Sequence, residues 1–314
     1  MIEPLLFLLL GLVGMWWGSD LIVSGARHLA ERLRISEAVI GMTVVALGTS
    51  LPEIATNILA AMHVLAGEPA SGLAIGNVLG SNIANLTIVL GLAALFSKTT
   101  SISQISLFRE GTMTAMALGI FFLISYDLVI TPAEGIIISV MYLFYVLFLI
   151  LQGPVLAPRK RGHDGRRIAL DFVMLSLGSG ILWVGSEWVV TNGILLAKIF
   201  ALKESIIGIG VGLGTSLPEL TVSIIAIYRK AGELSIGNLL GSNIANPLIV
   251  LGIGAAISGF EVGRFSLLVL FPFTLFATLL ALVMLFAHRE LNRLHSAALI
   301  GFYLFFIYMI TAIL

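Results

Sequence analysis

Long apolar runs separated by short polar connections make up most of the chain. We count ten runs of about 20 residues, the length that an α-helix needs to cross the hydrocarbon core of a bilayer. Their approximate edges are 4–26, 38–62, 72–97, 106–125, 129–152, 168–197, 205–228, 234–258, 265–287 and 294–313. No cleavable leader pattern precedes the first run, so we expect it to be retained. The pattern predicts an all-α membrane protein with ten transmembrane helices.

The composition excludes several other classes of protein. Hydrophobic residues make up 59% of the 314 positions, and charged residues only 11%, against about 25% in a soluble domain. That is too apolar for one soluble core or for a disordered chain. The formal net charge is zero, so no basic excess favours nucleic-acid binding. The chain has no cysteine, which excludes disulfides and thiolate metal sites.

The positions of the basic residues predict the orientation in the membrane. If the N-terminus lies outside, 14 of the 17 Lys and Arg residues fall in cytoplasmic connections, and only Lys198, Lys203 and Arg264 fall outside. Cytoplasmic loops carry such an excess. We therefore expect both termini outside, the basic 153–167 connection in the cytoplasm, and a multi-pass protein of the plasma membrane.

An internal duplication predicts the architecture. The heptapeptide Leu47–Glu53 recurs unchanged as Leu213–Glu219, and the segment Ile75–Asn85 recurs as Ile236–Asn246 with ten of eleven positions identical. Two five-helix halves follow, 1–152 and 168–314, joined by the linker 153–167. Because five is odd, the second half enters the membrane from the opposite side. Inverted repeats of this kind are typical of secondary transporters.

Two glutamates lie deep in predicted spans. Glu53 and Glu219 are near the middle of the second and seventh runs, with no Lys, Arg or His at similar depth in the sequence pattern. A carboxylate at that depth costs several kcal/mol unless it is compensated. The compensation must come from protons, dipoles or bound cations.

The neighbours of the glutamates favour cations. Pro52 and Pro218 should interrupt their helices and release backbone carbonyls near Ala46 to Gly48, and near Gly212 to Gly214, from the hydrogen-bond ladder. Hydroxyl side chains lie on the adjacent turn. The duplicated segment Ile75–Asn85, here called the second motif, adds hydroxyl and amide oxygens on one helix face. Carboxylate, hydroxyl and carbonyl oxygens are ligands for hard cations such as Ca²⁺ or Na⁺. Two negative charges can hold one divalent ion, or monovalent ions and protons in its place, which is a physical basis for exchange.

Structural interpretations compete for the other features. A single intramembrane Ser or Thr usually bonds back to its own helix, and an isolated Gly-x-x-x-Gly usually serves helix packing. For Asp20 and Glu187 the sequence leaves two roles open, one at a helix end or in packing and one in function. The duplicated glutamates, each with Ser, Thr and Pro at identical spacing, are hard to explain as packing alone.

With both motifs present twice, the chain resembles the calcium/cation antiporter superfamily, in particular prokaryotic sodium/calcium exchanger-like proteins. The resemblance covers nearly the whole chain. It implies a core of spans two, three, seven and eight that holds the ions, with spans one and six sliding across it. It also implies twelve ion-binding positions: Ala46, Thr49, Ser50, Glu53, Ser81, Asn85, Gly212, Thr215, Ser216, Glu219, Ser242 and Asn246.

The expected function is therefore secondary-active antiport of Ca²⁺ for Na⁺ or H⁺. Some sodium/calcium exchangers in the family carry Asp where this chain has Asn85 or Asn246, so the counter-ion stays open, with an H⁺-coupled exchanger as the alternative. A cation channel with a central acidic site is the alternative from another class. An enzyme is not expected, because the deep polar set lacks a nucleophile–base pair. We expect no cofactor, no nucleic acid and no obligate protein partner beyond the bilayer and the transported ions.

Overall fold

The computed structural model describes residues 2–96, 104–152, 165–199, 214–288 and 291–313, and these are almost entirely helical. The helices of these segments are α1 Ile2–Leu33, α2 Glu37–Thr49, α3 Leu51–Leu65, α4 Ser71–Phe96, α5 Gln104–Ile124, α6 Pro132–Gln152, α7 Gly165–Ile199, α8 Leu217–Tyr228, α9 Gly232–Ser258, α10 Phe271–His288 and α11 Arg293–Ile313. A short antiparallel pair of strands, β1 Val129–Ile130 and β2 Phe260–Glu261, joins the two halves of the chain.

Eight of the described helices are long and apolar enough to cross a membrane, and the bent pair α2 and α3 makes a ninth span if it is taken together. The predicted seventh span, 205–228, is represented by α8, which has 12 residues, because residues 200–213 lie outside the described part of the chain. The prediction of a multi-pass helical membrane protein is confirmed. The number of ten spans stays a prediction, as do the two domains, since most of the linker 153–167 also lies outside the described residues.

The second span is broken just before its glutamate. α2 ends at Thr49, Ser50 has φ −84° and ψ 11°, and α3 starts again at Leu51 after a bend of 47°. Pro52 stands in the first turn of α3, where its missing N–H costs nothing. α8 begins in the same way after Ser216, with Pro218 in its first turn. The duplicated sequence therefore produces a helix start at the same place in each half.

The predicted release of carbonyls near Ala46 to Gly48 is wrong at its first residue. The carbonyl of Ala46 stays in the helical ladder, because it accepts the N–H of Ser50 at 3.0 Å. The ring of Pro52 opposes the residue four positions back, which is Gly48, so the interruption falls two residues later than Ala46. A carbonyl oxygen has a second lone pair, and Ala46 therefore remains an available ligand.

Helices α4 and α9 form the interior of the molecule. Most of each is buried, whereas the other long spans expose most of their surface. Both carry the second motif, and each contains one π-helical turn that begins at the last asparagine of that motif, Asn85–Val89 and Asn246–Val250. Such turns widen a helix locally and are frequent at functional sites.

The Gly-x-x-x-Gly of α9 serves close packing against α2, as predicted. A Cβ at Gly241 would lie 2.5 Å from Cα of Met42, and a Cβ at Gly237 would lie 2.5 Å from the carbonyl oxygen of Ala38. The equivalent glycines of α4, Gly76 and Gly80, have no such neighbour among the described residues.

α1 and α7 pack backbone to backbone along an antiparallel pair. Gly11 lies against Gly185, Gly18 against Gly178, and Gly25 against the carbonyl of Asp171. Residue numbers increase along α1 while those of its contacts on α7 decrease, so the two helices are antiparallel. Small residues allow this approach, which is the usual packing device of membrane helices. The first helices of the two halves therefore run in opposite directions as one closely packed unit, the α1–α7 pair.

The packing of this pair generates a stability prediction. In Gly178→Leu the new Cβ would lie 2.8 Å from the carbonyl oxygen of Gly18, so we expect a loss of about 1–3 kcal/mol from overpacking. Gly180→Leu on the same helix is the matched control, because a Cβ there meets no atom of the described residues within 4 Å. Thermal unfolding in detergent compares them, and equal unfolding temperatures would contradict the packing.

Candidate functional site

The two glutamates occupy equivalent places in the interior. Glu53 lies in the first turn of α3 and Glu219 in the first turn of α8, and both are fully buried. The N-terminus of a helix carries a partial positive charge, which favours an acidic side chain by about 0.3–1 kcal/mol at an exposed site. The helix breaks therefore offset a part of the cost of burying each carboxylate.

Hydroxyl groups from both halves of the chain surround Glu219. Its Oε1 accepts from Ser50 at 3.2 Å and from Ser242 at 3.3 Å, and these two hydroxyls lie 3.3 Å apart. Ser50 precedes α3 in the first half, whereas Ser242 belongs to α9 in the second. The contacts join the broken span of one half to the glutamate of the other.

Glu53 is held in a similar way. Its Oε1 accepts the hydroxyl of Ser81 at 3.3 Å, and Ser81 Oγ lies 3.3 Å from Oγ1 of Thr215. Thr215 precedes α8, so this contact also crosses between the halves. Each glutamate is thus bonded to a serine of its own half and reaches a residue of the other half, directly or through that serine. These contacts form a buried polar centre to which both halves contribute.

The remaining carboxylate oxygens distinguish these glutamates from other buried acids. Oε2 of Glu53 and Oε2 of Glu219 have no hydrogen-bond partner among the described residues. Two other acids are also buried, but each meets an arginine: Glu110 lies 2.5 Å from Arg109 and Asp171 lies 2.5 Å from Arg32. The two structural acids are therefore paired with basic neighbours, whereas each central glutamate has no ion pair in the described part of the chain and one carboxyl oxygen without a hydrogen bond there.

Two asparagines that the sequence analysis did not single out belong to the same centre. Asn238 accepts the hydroxyl of Thr49 at 3.0 Å, and Asn82 accepts the amide of Asn246 at 2.9 Å. Both asparagines lie inside the duplicated second motif. The near-identity of the two copies was a signal that would have found them.

Three other predicted positions, Ala46, Asn85 and Ser216, are also buried. Oγ of Ser216 and both amide atoms of Asn85 have no hydrogen-bond partner in the part of the chain that the structure describes. The carbonyl of Ala46 accepts the hydroxyl of Thr49 at 3.1 Å as well as the backbone N–H of Ser50. Gly212 lies outside the described residues.

A cavity of about 250 Å³ lies beside the site, between α3 and α7. Pro52 and Thr215 line the part next to the site, while Leu59, Glu187 and Thr191 line the part away from it. Glu187 is exposed. Asp20 has a different environment, because it accepts from Arg229 at 2.5 Å and links α1 to the connection after α8. The two acids left open by the sequence therefore differ, one in an ion pair and one at a cavity.

The fold and the centre define a class: polytopic membrane proteins with an oxygen-lined acidic site suited to hard cations. The sodium/calcium exchanger protein family matches residues 3–151 and 170–312, leaving out the predicted linker. This chain belongs to that family, whose members are ion transporters of the calcium and antiport type.

Individual relatives cover almost the whole chain. The protein is 30% identical to the sodium/calcium exchanger MaX1 of Methanosarcina acetivorans, over 96% of this chain and 97% of that one. It is 33% identical to the putative antiporter CaxA of Alkalimonas amylolytica, over 82% of each chain. A solved structure of the sodium-calcium exchanger NCX_Mj, soaked with Na⁺ and Sr²⁺, superposes with a TM-score of 0.82 at 28% identity and 98% coverage of both chains.

The hydroxyl of Thr49 provides a test of the site. Thr49→Val keeps the shape but removes the oxygen and leaves Asn238 Oδ1 without its donor, so we expect the KM for Ca²⁺ to rise at least about 10-fold. Thr87→Val is the matched control, since Thr87 is equally buried but bonds back to the carbonyl of Ile83. Uptake of ⁴⁵Ca²⁺ into proteoliposomes gives both values, and equal KM values would exclude Thr49 from the site.

Proposed function

We propose that the protein is a secondary-active antiporter that exchanges Ca²⁺ for Na⁺, with H⁺ as the alternative counter-ion, by alternating access. The observation that carries this proposal is the pair of fully buried glutamates, each with one oxygen that lacks a partner among the described residues. Charge of this kind in a membrane interior marks an ion pathway by default. Membership of the sodium/calcium exchanger family supports the same conclusion.

The charge of the site explains exchange rather than co-transport. Two carboxylates balance one Ca²⁺, or two monovalent cations or protons. Loading both classes of ion together would leave a large uncompensated positive charge in a low-dielectric interior, which is costly. The ions therefore compete for the same oxygens, and each must leave before the other binds. No resident cofactor is part of this scheme, because the ions themselves are the substrates.

The two ends of the α1–α7 pair support an outward-facing state. At one end Asp20 pairs with Arg229, and Arg27 pairs with Glu37 at 2.9 Å, which ties α1 to its neighbours. The cavity lies at the level of Glu187, about 24 Å along α7 from Asp171. By the distribution of basic residues the paired end is cytoplasmic. We propose that this end is closed here, that the cavity opens outside, and that the pair moves across the core during transport.

The antiparallel packing of α1 and α7 supports an inverted arrangement of two five-helix halves, 1–152 and 168–314, with both termini outside. Glu53, Ser81, Asn85, Thr49 and Ser50 of the first half and their second-half counterparts would then bind the ions between them. The resemblance also assigns Ala46 and Gly212 to this set. We propose the plasma membrane as the location, and the bilayer and the ions as the sole partners that the function requires.

The glutamates provide the direct test. Glu53→Gln and Glu219→Gln remove one negative charge each with little change of shape, so we expect ⁴⁵Ca²⁺ uptake to fall at least about 100-fold, as the loss of a buried charged ligand implies. The variants should still insert, because the change removes a desolvation cost. Glu31→Gln, at an exposed position of α1, is the charge-matched control. Retained transport in both site variants would refute the proposal.

Imposed gradients distinguish the antiporter from a channel and Na⁺ from H⁺. We expect ⁴⁵Ca²⁺ to accumulate against its gradient when an opposing Na⁺ gradient is imposed and to stop when that gradient is collapsed. If H⁺ is the counter-ion, a pH gradient alone would drive the same accumulation of ⁴⁵Ca²⁺. Planar-bilayer recording is the second arm. Unitary Ca²⁺ currents without any counter-gradient would identify a channel, because alternating access is far too slow to produce them.

A further inference from the structure

Asn82 lies between the two halves of the chain, one residue after the site residue Ser81, and is 3% exposed. Its Nδ2 donates to the backbone carbonyl of Asn243 at 3.2 Å, and its Oδ1 accepts from Nδ2 of Asn246 at 2.9 Å. Three buried groups thus form a short chain of hydrogen bonds that ends at a predicted ion ligand. None of the twelve predicted positions is Asn82.

The chain of bonds has only one possible direction. A backbone carbonyl can only accept, so the end of the Asn82 amide that faces Asn243 must be its NH₂. The oxygen of Asn82 then faces Asn246, which must present its own NH₂ in return. The amide ends of asparagine are otherwise hard to tell apart, and here the carbonyl at one end of the chain decides both of them.

The direction places an oxygen on the far side of Asn246. Its Oδ1 is buried and has no hydrogen-bond partner among the residues that the structure describes. An amide oxygen is a ligand for Ca²⁺ or Na⁺, whereas an amide NH₂ in the same place would repel a cation. The orientation of Asn246 therefore decides whether this residue helps or opposes ion binding.

The other half of the site lacks this arrangement. Asn243 is the counterpart of Asn82 at the repeat offset, but its Nδ2 donates to the carbonyl of Leu239 in its own helix at 2.8 Å. Asn85, the counterpart of Asn246, has neither amide atom bonded to the described residues. The same motif is thus used in two ways: of the pair Asn85 and Asn246, Asn246 alone is held by a partner of the other half within the described part of the chain.

We propose that Asn82 is a positioning residue, which holds the Asn246 amide with its oxygen toward the ion and so makes the two halves of the site inequivalent. The inference rests on the proposed function, because it assigns Asn246 to the ion site. Asn82 acts through Asn246 and needs no contact with the ion.

A pair of matched variants tests the proposal in the full-length protein in detergent. Asn82→Ala removes the acceptor that orients Asn246, so we expect the Kd for Ca²⁺, measured by calorimetry, to rise about 3- to 10-fold, the factor that one lost hydrogen bond corresponds to. Asn243→Ala removes an equally buried amide while its backbone carbonyl stays in place, and we expect less than about a 2-fold change. Equal effects in the two variants would overturn the proposal.

A second comparison separates orientation from packing. In Asn246→Asp both ends of the side chain are oxygen, so no orientation needs to be held, and the end that faces Asn82 meets another acceptor. Adding Asn82→Ala should therefore leave the Kd unchanged or make it tighter, not weaker. A packing role would give the same factor in both backgrounds, which would also overturn the proposal. If Asn82→Ala is not recovered folded, Asn82→Ser takes its place, because its hydroxyl is too short to bridge both partners.

The orienting role and the proposed function fail in different ways. A 3- to 10-fold weakening by Asn82→Ala that persists in the Asn246→Asp background would contradict the orienting role alone. Absence of Ca²⁺ binding by the unmodified protein would instead refute the proposed function, so the two failures are distinguishable.

Discussion

Two carboxylates enclosed in an apolar interior, with no basic partner among the described residues, are the constraint on which the rest of the molecule depends. Burial of a charge costs several kcal/mol unless the surroundings compensate it. Helix starts at Leu51 and Leu217 place the positive ends of two helix dipoles beside the glutamates, and hydroxyls occupy one oxygen of each. The other oxygen of each has no hydrogen-bond partner among the described residues, and under the proposed function a cation completes it. This explains why the most buried helices, α4 and α9, are also the ones that carry Ser, Asn and Gly in place of Leu and Ile.

The backbone serves the same constraint. Pro52 cannot continue the helix through the site, and the break at Ser50 allows its hydroxyl to reach the glutamate of the opposite half. Gly237 and Gly241 let α9 approach α2 closely enough for Thr49 to contact Asn238. The site is therefore built from contacts between the halves as well as within each half. Duplication of one sequence supplies both sides, and small differences in the partners of equivalent asparagines make the sides unequal.

The charge of the centre also bears on the choice of ion. Asn85 and Asn246 are neutral, so the formal charge is that of the two glutamates alone. An aspartate at either position would add a third negative charge and favour a larger total of bound positive charge. Similarity to the exchangers MaX1 and NCX_Mj supports the class of transport. The choice between Na⁺ and H⁺ as counter-ion depends on how the charges of the two glutamates are compensated.

The sequence by itself determined the membrane class, the duplication and the two glutamates, because a charge inside a long apolar run and an unchanged heptapeptide repeat are both visible without any knowledge of contacts. It also placed the helix break close to Pro52. Of the carbonyls expected to be released, near Ala46 to Gly48, Ala46 keeps its bond because the N–H of Ser50 remains available. Only the tertiary structure decided that Ser50 bonds to Glu219 rather than to its own helix, that Asn238 and Asn82 belong to the site, and that Asn82 and its counterpart Asn243 differ. Hydrogen-bond partners depend on which helix faces meet. That is set by packing between segments more than 160 residues apart, which no local pattern specifies.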